Sequence, residues 1–291
     1  MQENNGYRKP RLLIGSEAHK QLFCRTFMES HERYEPAELP WPTLDERSLK
    51  RVRALPFWDM ALQAETNAGA MVSGFGATIA DPTIREAVEL QGFEEGRHGR
   101  LIATMVERYQ LGAVAKPPQL EPTERAFINF GYSECLDSFV GFGAFRLAQD
   151  MEFLPNSLSS LFTRVLWEEA RHIVFFVNWI AYERVQRGYG NAFLQAVATA
   201  IGYVRAVIER IVSGRAIAEK NAENNASQPM ELPEISILAF LNAALSENER
   251  FMAQFDERLL RPRVLPVLAR SVLDAINAGR SVKEVFAPRA S

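Results

Sequence analysis

The chain writes nearly the same six residues twice, Phe-Glu-Glu-Gly-Arg-His at 93 to 98 and Trp-Glu-Glu-Ala-Arg-His at 167 to 172. It holds only four histidines, and two of them close these hexapeptides. Glu95 and His98 are three apart, as are Glu169 and His172. Residues three apart on an α-helix are neighbours on one face, so each pair can address one metal ion. Both pairs fall on stripes that are otherwise apolar. A lone carboxylate there carries a heavy desolvation cost, which a bound cation removes. One such pair reads equally well as a solvated Glu and His or as a satisfied core histidine. Two copies, both inward, favour coordination.

The elements that must position these residues are helical. Apolar residues recur at helical spacing over about 57 to 79, where Trp58, Leu62, Glu65, Ala68, Gly69 and Val72 share a face. Asp81 and Pro82 then supply an N-cap and a first-turn proline for a second helix running to about 110, with Ile84, Val88, Glu95, His98, Ile102, Met105 and Tyr109 inward. A proline-bearing crossover, 111 to 122, leads to a third helix over about 123 to 149, with Phe127, Phe130, Glu134 and Phe145 aligned. The fourth covers about 157 to 186, with Glu169 and His172 on its inward stripe. Two or three more helices are expected over 190 to 280, separated by the polar stretch NAENNASQP, and no strand pattern occurs. Residues 1 to 56, with Pro36, Pro40 and Pro42, read as a segment that wraps the surface in extended form before one short basic helix. The expected organisation is therefore all-α: an N-terminal segment (1 to 56), a four-helix unit (57 to 187) and a C-terminal helical extension (188 to 291).

Two Glu-x-x-His pairs need two further carboxylates to complete a dinuclear site, and hairpin geometry says where to look. Residues at equal depth in a hairpin lie equally far from its turn. The first turn centres near residue 80, so a group level with Glu95 falls near 65, which is Glu. The second centres near 152, which places the partner of Glu169 near 135, beside Glu134. Glu65, Glu95, His98, Glu134, Glu169 and His172 thus form one candidate set, suited to two iron or manganese ions or a mixed pair.

This order of ligands on four helices resembles the ferritin-like di-iron carboxylate superfamily, over about 57 to 186. The resemblance implies a ferritin-like four-helix bundle with additional C-terminal helices. The fuller Glu-Glu-x-Arg-His form is most similar to acyl carrier protein desaturases and bacterial monooxygenases. It implies that Glu94 and Glu168 accept from the ligand histidines and are held by Arg97 and Arg171; the alternative is that these four make only surface salt bridges. Asp137, one turn beyond Glu134, is a further supporting candidate.

A diferrous site of this kind binds dioxygen, and each cycle needs two electrons from outside unless the substrate supplies them. Both copies of GFGA sit inside expected helices, so neither is a credible dinucleotide loop. Cys24 and Cys135 are too few for a rubredoxin-type centre. An external donor such as a ferredoxin is expected, for which the basic run 47 to 53 could be a dock if it is not simply a solvated helix face. Nine of the 17 glycines fall in the first three long helices, and Gly69, Gly76, Gly131 and Gly141 share the ligand faces. They could leave room for a small hydrophobic or aromatic substrate walled by Phe75, Phe127, Phe130, Phe142 and Phe145, or they could serve close helix packing.

The composition, 47% hydrophobic and 24% charged with a formal charge of -3, gives no support to nucleic-acid binding. The start lacks the apolar run of a signal peptide. The most apolar later stretch, from Asn191, meets Arg205 and Glu209 before spanning length, so a cytoplasmic protein off the membrane is expected. The first expectation for function is an oxygen-activating di-iron oxidoreductase, an oxygenase, oxidase or desaturase, acting on an organic substrate. A ferroxidase or peroxide-scavenging protein of the same fold and a non-catalytic, metal-stabilised interaction module are the alternatives. The last hundred residues could cover the four helices or form a homodimer interface.

Overall fold

A computed structural model describes residues 12–189, 191–224 and 235–286, with side chains for 12–189, 191–212 and 235–278. Among the described residues every regular element is helical. The four long helices form where the sequence places them: α3 (Trp58–Gly76), α4 (Pro82–Tyr109), α5 (Glu124–Asp150) and α6 (Asn156–Gln186), counting from two shorter helices, α1 (Glu17–Glu29) and α2 (Glu46–Ala54). Asp81 accepts hydrogen bonds from the backbone N–H groups of Thr83 and Ile84, and Pro82 opens α4 without a wasted donor. Thr123 caps α5 in the same way through Ala126. α4 ends at Gln110, whose left-handed backbone (φ 54°) stops the helix.

α3 and α4 form a tight hairpin whose backbones meet at small residues. A Cβ on Gly69 would stand 2.8 Å from the Gly96 nitrogen, and one on Gly92 would strike Ser73. α5 pairs with α6, α3 touches α5, and α4 touches α6, so the two hairpins face one another. Between them lies a core built on Phe75, Phe127, Phe176 and Trp179, whose rings meet edge-on or stacked at centroid distances of 4.9 to 6.4 Å.

The N-terminal segment is more than a wrapping. α1 buries Leu22, Phe23, Cys24 and Phe27 in the same core as Phe175 and Trp179 and packs on α6 and α4. Its periodicity is masked in sequence by charged neighbours on the outer face, which is why an extended course was expected. The basic run on α2 also faces inward in part. Arg51 donates to the carbonyls of Glu152 and Phe153, and Arg53 to that of Tyr109, so two of its cations fasten α2 to the ends of α5 and α4. A docking patch on that run is reduced to its outer residues Arg47 and Lys50.

Three helices follow: α7 (Ala192–Asn224), α8 (Ile237–Met252) and α9 (Val264–Phe286). The second half of the polar stretch NAENNASQP lies outside the described residues. α8 packs closely on α5, with Ala244 against Gly143 and Phe251 against Phe142. α7 runs along α5 through Tyr203 against Tyr132 and through an Arg210–Asp137 ion pair. Residues Ala192–Val212 of α7 are long and apolar enough, by length and composition, to cross a membrane. The expectation that Arg205 and Glu209 cut this apolar run short of spanning length does not hold, since both lie within it.

Candidate metal centre

Three of the four long helices bring a carboxylate to one point, Glu65 from α3, Glu95 from α4 and Glu169 from α6, and Glu134 of α5 is buried near Glu169 and Glu95. His98 and His172 stand between them, their rings 5.7 Å apart and both fully buried. The Nδ1 atom of His98 lies 3.0 Å from Glu169 and 3.7 Å from both Glu65 and Glu95. That of His172 lies 3.0 Å from Glu95 and 3.5 Å from Glu169. Glu95 and Glu169 therefore touch both imidazoles and lie between the two halves. The candidate ligand atoms of Glu65, Glu95, His98 and Glu169 all fall within 4.8 Å of one another. Glu134 is close enough to Glu169 and Glu95 for both of their charges to act on it.

The outer nitrogens explain the doubled hexapeptide. His98 donates through Nε2 to Glu168, 2.8 Å away on the opposite hairpin, and His172 donates to Glu94 at 2.9 Å. Arg97 donates to Glu168 at 2.5 Å and Arg171 to Glu94 at 2.8 Å. Each Glu-Glu-x-Arg-His run thus supplies the carboxylate that receives the other run's His and Arg. All four of Glu94, Arg97, Glu168 and Arg171 are at most 1% exposed, so they are not surface salt bridges. Fixing Nε2 as a donor turns Nδ1 toward the inner carboxylates, where a metal ion could take the place of its proton, the arrangement that orients a metal-ligating imidazole.

The N-terminal segment closes this outer layer, which the sequence reading missed. His31 shares a 2.5 Å hydrogen bond with Glu94, and the Tyr34 hydroxyl donates to Glu168 at 3.1 Å. Arg171 also donates to the Ser30 hydroxyl and the Phe27 carbonyl, while Arg97 donates to the Glu32 carbonyl and lies over the Tyr34 ring. The available signal was His31, one of four histidines, with Tyr34 three residues on. Gln91, a turn before Glu95, donates to it at 3.3 Å. Asp137 takes a different part from the one expected. It pairs with Arg210 of α7 and makes no hydrogen bond to either histidine.

The electrostatics are those of a site short of cations. Burial, with Glu95 and Glu169 nearby, pushes the Glu65 carboxyl up to about 7 despite relief from His98, and pushes Glu134 well above the carboxylate range. Burial alone would lower both histidines, but four carboxylates around His98 and three around His172 raise them well above 6.5. For Glu94 and Glu169 the burial cost is outweighed by the neighbouring imidazoles, aided at Glu94 by Arg171, and both are held below the usual range. Buried His98 Nδ1, His172 Nδ1 and Glu169 Oε2 have no hydrogen-bond partner of proper geometry, although carboxylate oxygens stand near both rings. Orphaned buried acceptors around a common point, with charge that only protons or cations can relieve, fit a divalent metal.

The glycines expected to open a substrate space mostly do not. A Cβ on Gly131 would run into the Phe176 ring, Gly76 abuts Glu89, and Gly69 abuts Gly96. The phenylalanines expected as walls pack on other rings: Phe75 stacks on Phe127, Phe142 lies tilted against Phe251, and half-buried Phe145 meets Phe162. Gly141 alone of the four faces no described atom within 4 Å. A groove of about 700 Å³ does follow Gly69, Gly92, Gly96 and Gly99, but it lies along the outer seam of α3 and α4.

Searches of protein-family models, curated proteins and solved structures each returned no match to this chain.

Proposed function

We propose that this chain is a ferritin-like di-metal carboxylate protein, with Glu65, Glu95, His98, Glu134, Glu169 and His172 holding two iron ions, or manganese in their place, for oxygen-dependent oxidation. The observation that carries the reading is the crossed support of the two histidines: buried Glu168 and Glu94 hold both Nε2 atoms, so both Nδ1 atoms are presented to one carboxylate cluster. A structural ion pair needs no such symmetry. Two irons bound there would supply the redox chemistry for activating dioxygen, which no side chain of this set can perform.

The chain's own contribution follows from the geometry. Glu95 and Glu169 lie between the two histidines, each in contact with both, and would help hold either ion. Glu65, with 23% of its side chain open, is the carboxylate best placed to take up or release a proton at neutral pH. The apolar helices exclude bulk water around the rest. An organic substrate is the first reading; Gly141 is the one glycine of the four whose surroundings leave room for it. A ferroxidase or peroxide-scavenging role is the second, favoured by the close packing at Gly69, Gly76 and Gly131.

Anaerobic loading with ferrous iron followed by oxygen tests the proposal. About two metals per chain and oxygen uptake coupled to formation of an iron absorption band are expected, both reduced in Glu95→Ala and Glu169→Ala. A bound metal that ignores oxygen would leave only a metal-stabilised module. Full metal occupancy in both variants would remove the ligand assignment.

A further inference from the structure

The outer face of α7 is the largest feature that the metal centre does not explain. Leu194, Val197, Ile201, Val204, Ile208 and Ile211 follow one another at spacings of three, four, three, four and three. Each is between 41% and 59% exposed, while Tyr203 and Ala206 on the opposite side are buried against the body of the protein. That spacing is the a/d repeat of a coiled coil, sustained over about 26 Å of helix. No polar residue interrupts it. Phe193, Val207 and Val212, also exposed, widen the stripe at flanking positions.

We infer that this face is the interface through which two copies of the chain pair, α7 against α7. The inference is independent of the metal reading. Three observations select a second copy. The alternating spacing of three and four over about two and a half heptads, ended by Arg215 at the next such position, sets these side chains in one narrow stripe that a facing helix can meet with knobs in holes. The nine side chains present on the order of 800 Å² of apolar surface at roughly 150 to 200 Å² per fully exposed residue, which matches the share each partner buries in a standard interface and exceeds the patches usual on monomers. The charges also point the wrong way for phospholipid headgroups. Arg205 donates inward to Asn129 and Arg210 to Asp137, so the described part of α7 offers no basic rim beside its apolar face. The same two contacts hold α7 side-on against α5, which opposes its leaving to span a bilayer.

The test is the mass of the full-length chain in solution. Light scattering should give about 66 kDa, twice the 32.9 kDa of one chain, and Ile201→Glu or Ile208→Glu should shift it to one chain with helical content and metal content retained. Val204→Cys, a milder change in the same seam, should yield a covalent dimer on mild oxidation. Flotation with vesicles of phosphatidylcholine and phosphatidylserine is the companion measurement. A wild-type chain that is monomeric at all concentrations overturns the inference, as does a dimer that both glutamate variants leave intact. Flotation of a monomeric wild type, lost in the same variants, would assign the face to a membrane surface instead.

Discussion

Replacing Glu94 tests whether the crossed pairing supports the centre, because this one carboxylate receives Arg171, His172 and His31 while wholly buried. Glu94→Leu leaves the Arg171 guanidinium buried, with only the Ser30 hydroxyl and the Phe27 carbonyl still accepting from it. Removing one partner of a buried pair costs about 3 to 5 kcal/mol. For a chain of this size each kcal/mol moves the melting temperature by roughly 2 to 4 °C, so a fall of about 6 to 20 °C is expected in metal-free protein. Glu94→Gln keeps the shape and one acceptor oxygen, and its effect should appear mainly in metal binding. Loss of a group that orients a ligand typically costs about 10- to 100-fold in affinity, or about 1.4 to 2.8 kcal/mol. Chelator competition monitored with manganese gives the affinity, and calorimetry gives the melting temperature. Pairing Glu94→Leu with Arg171→Met should recover part of the stability, since the stranded charge goes with its partner. A Glu94→Gln protein with wild-type affinity and a Glu94→Leu protein with a wild-type melting temperature would refute the argument that this layer holds His172.

The metal-free protein should lose stability as pH rises from about 5 to 8. Glu65 moves from 4.5 up to about 7 on folding, so its contribution is complete below 4.5 and is lost through about 7; His98 and His172, raised above 6.5, extend the loss to higher pH. Metal-loaded protein should show a flatter curve, because ligation displaces those protons, and a metal-free melting temperature rising over this range would contradict the assignment. Gly131→Leu, aimed into the Phe176 ring, should overpack the core and lower stability by about 1 to 3 kcal/mol, whereas Gly141→Leu should leave the melting temperature near wild type. If Gly141→Leu also preserves turnover of an organic substrate per metal-loaded chain, the space beside it is not used. Multiple turnovers on such a substrate should require added reductant; sustained oxidation without one, by a substrate that cannot itself supply electrons, would place a donor in this chain.

The parts that were legible in the sequence share a physical cause, the strong periodicity of long helices with capped ends. Asp81 with Pro82 marked one helix start, and the apolar stripe through Ile84, Val88, His98 and Met105 marked its buried face. Reflecting Glu95 and Glu169 through the turns located Glu65 and Glu134, because antiparallel helices rise equally per residue on both sides of a turn. What escaped depends on contacts between elements far apart in sequence. Nothing local tells that Arg51 will meet the carbonyls after α5, or that Asp137 will meet Arg210. Glycine is ambiguous for the same reason: a Cβ on Gly131 would strike Phe176, whereas one on Gly141 would meet no described atom outside its own helix within 4 Å.

The spacing within the hexapeptide has a stereochemical reason that a single copy cannot express. Successive residues on a helix differ by about 100° in direction. Glu94 and Glu95 therefore leave the helix in different directions, and they reach opposite nitrogens of the same His172 ring, Nε2 at 2.9 Å and Nδ1 at 3.0 Å. His98 and Arg97 are offset in the same sense, so the run presents two donors to one side and a ligand pair to the other. A second run, facing the first across the centre, satisfies all of these at once: Glu168 takes Arg97 and His98, and Glu94 takes Arg171 and His172. Half of the arrangement would bury one carboxylate without its cation and one arginine without its anion, each a cost of several kcal/mol. The two copies stabilise one another before any metal arrives, and the Nδ1 atoms left over by that pairing are the ones that face Glu95 and Glu169.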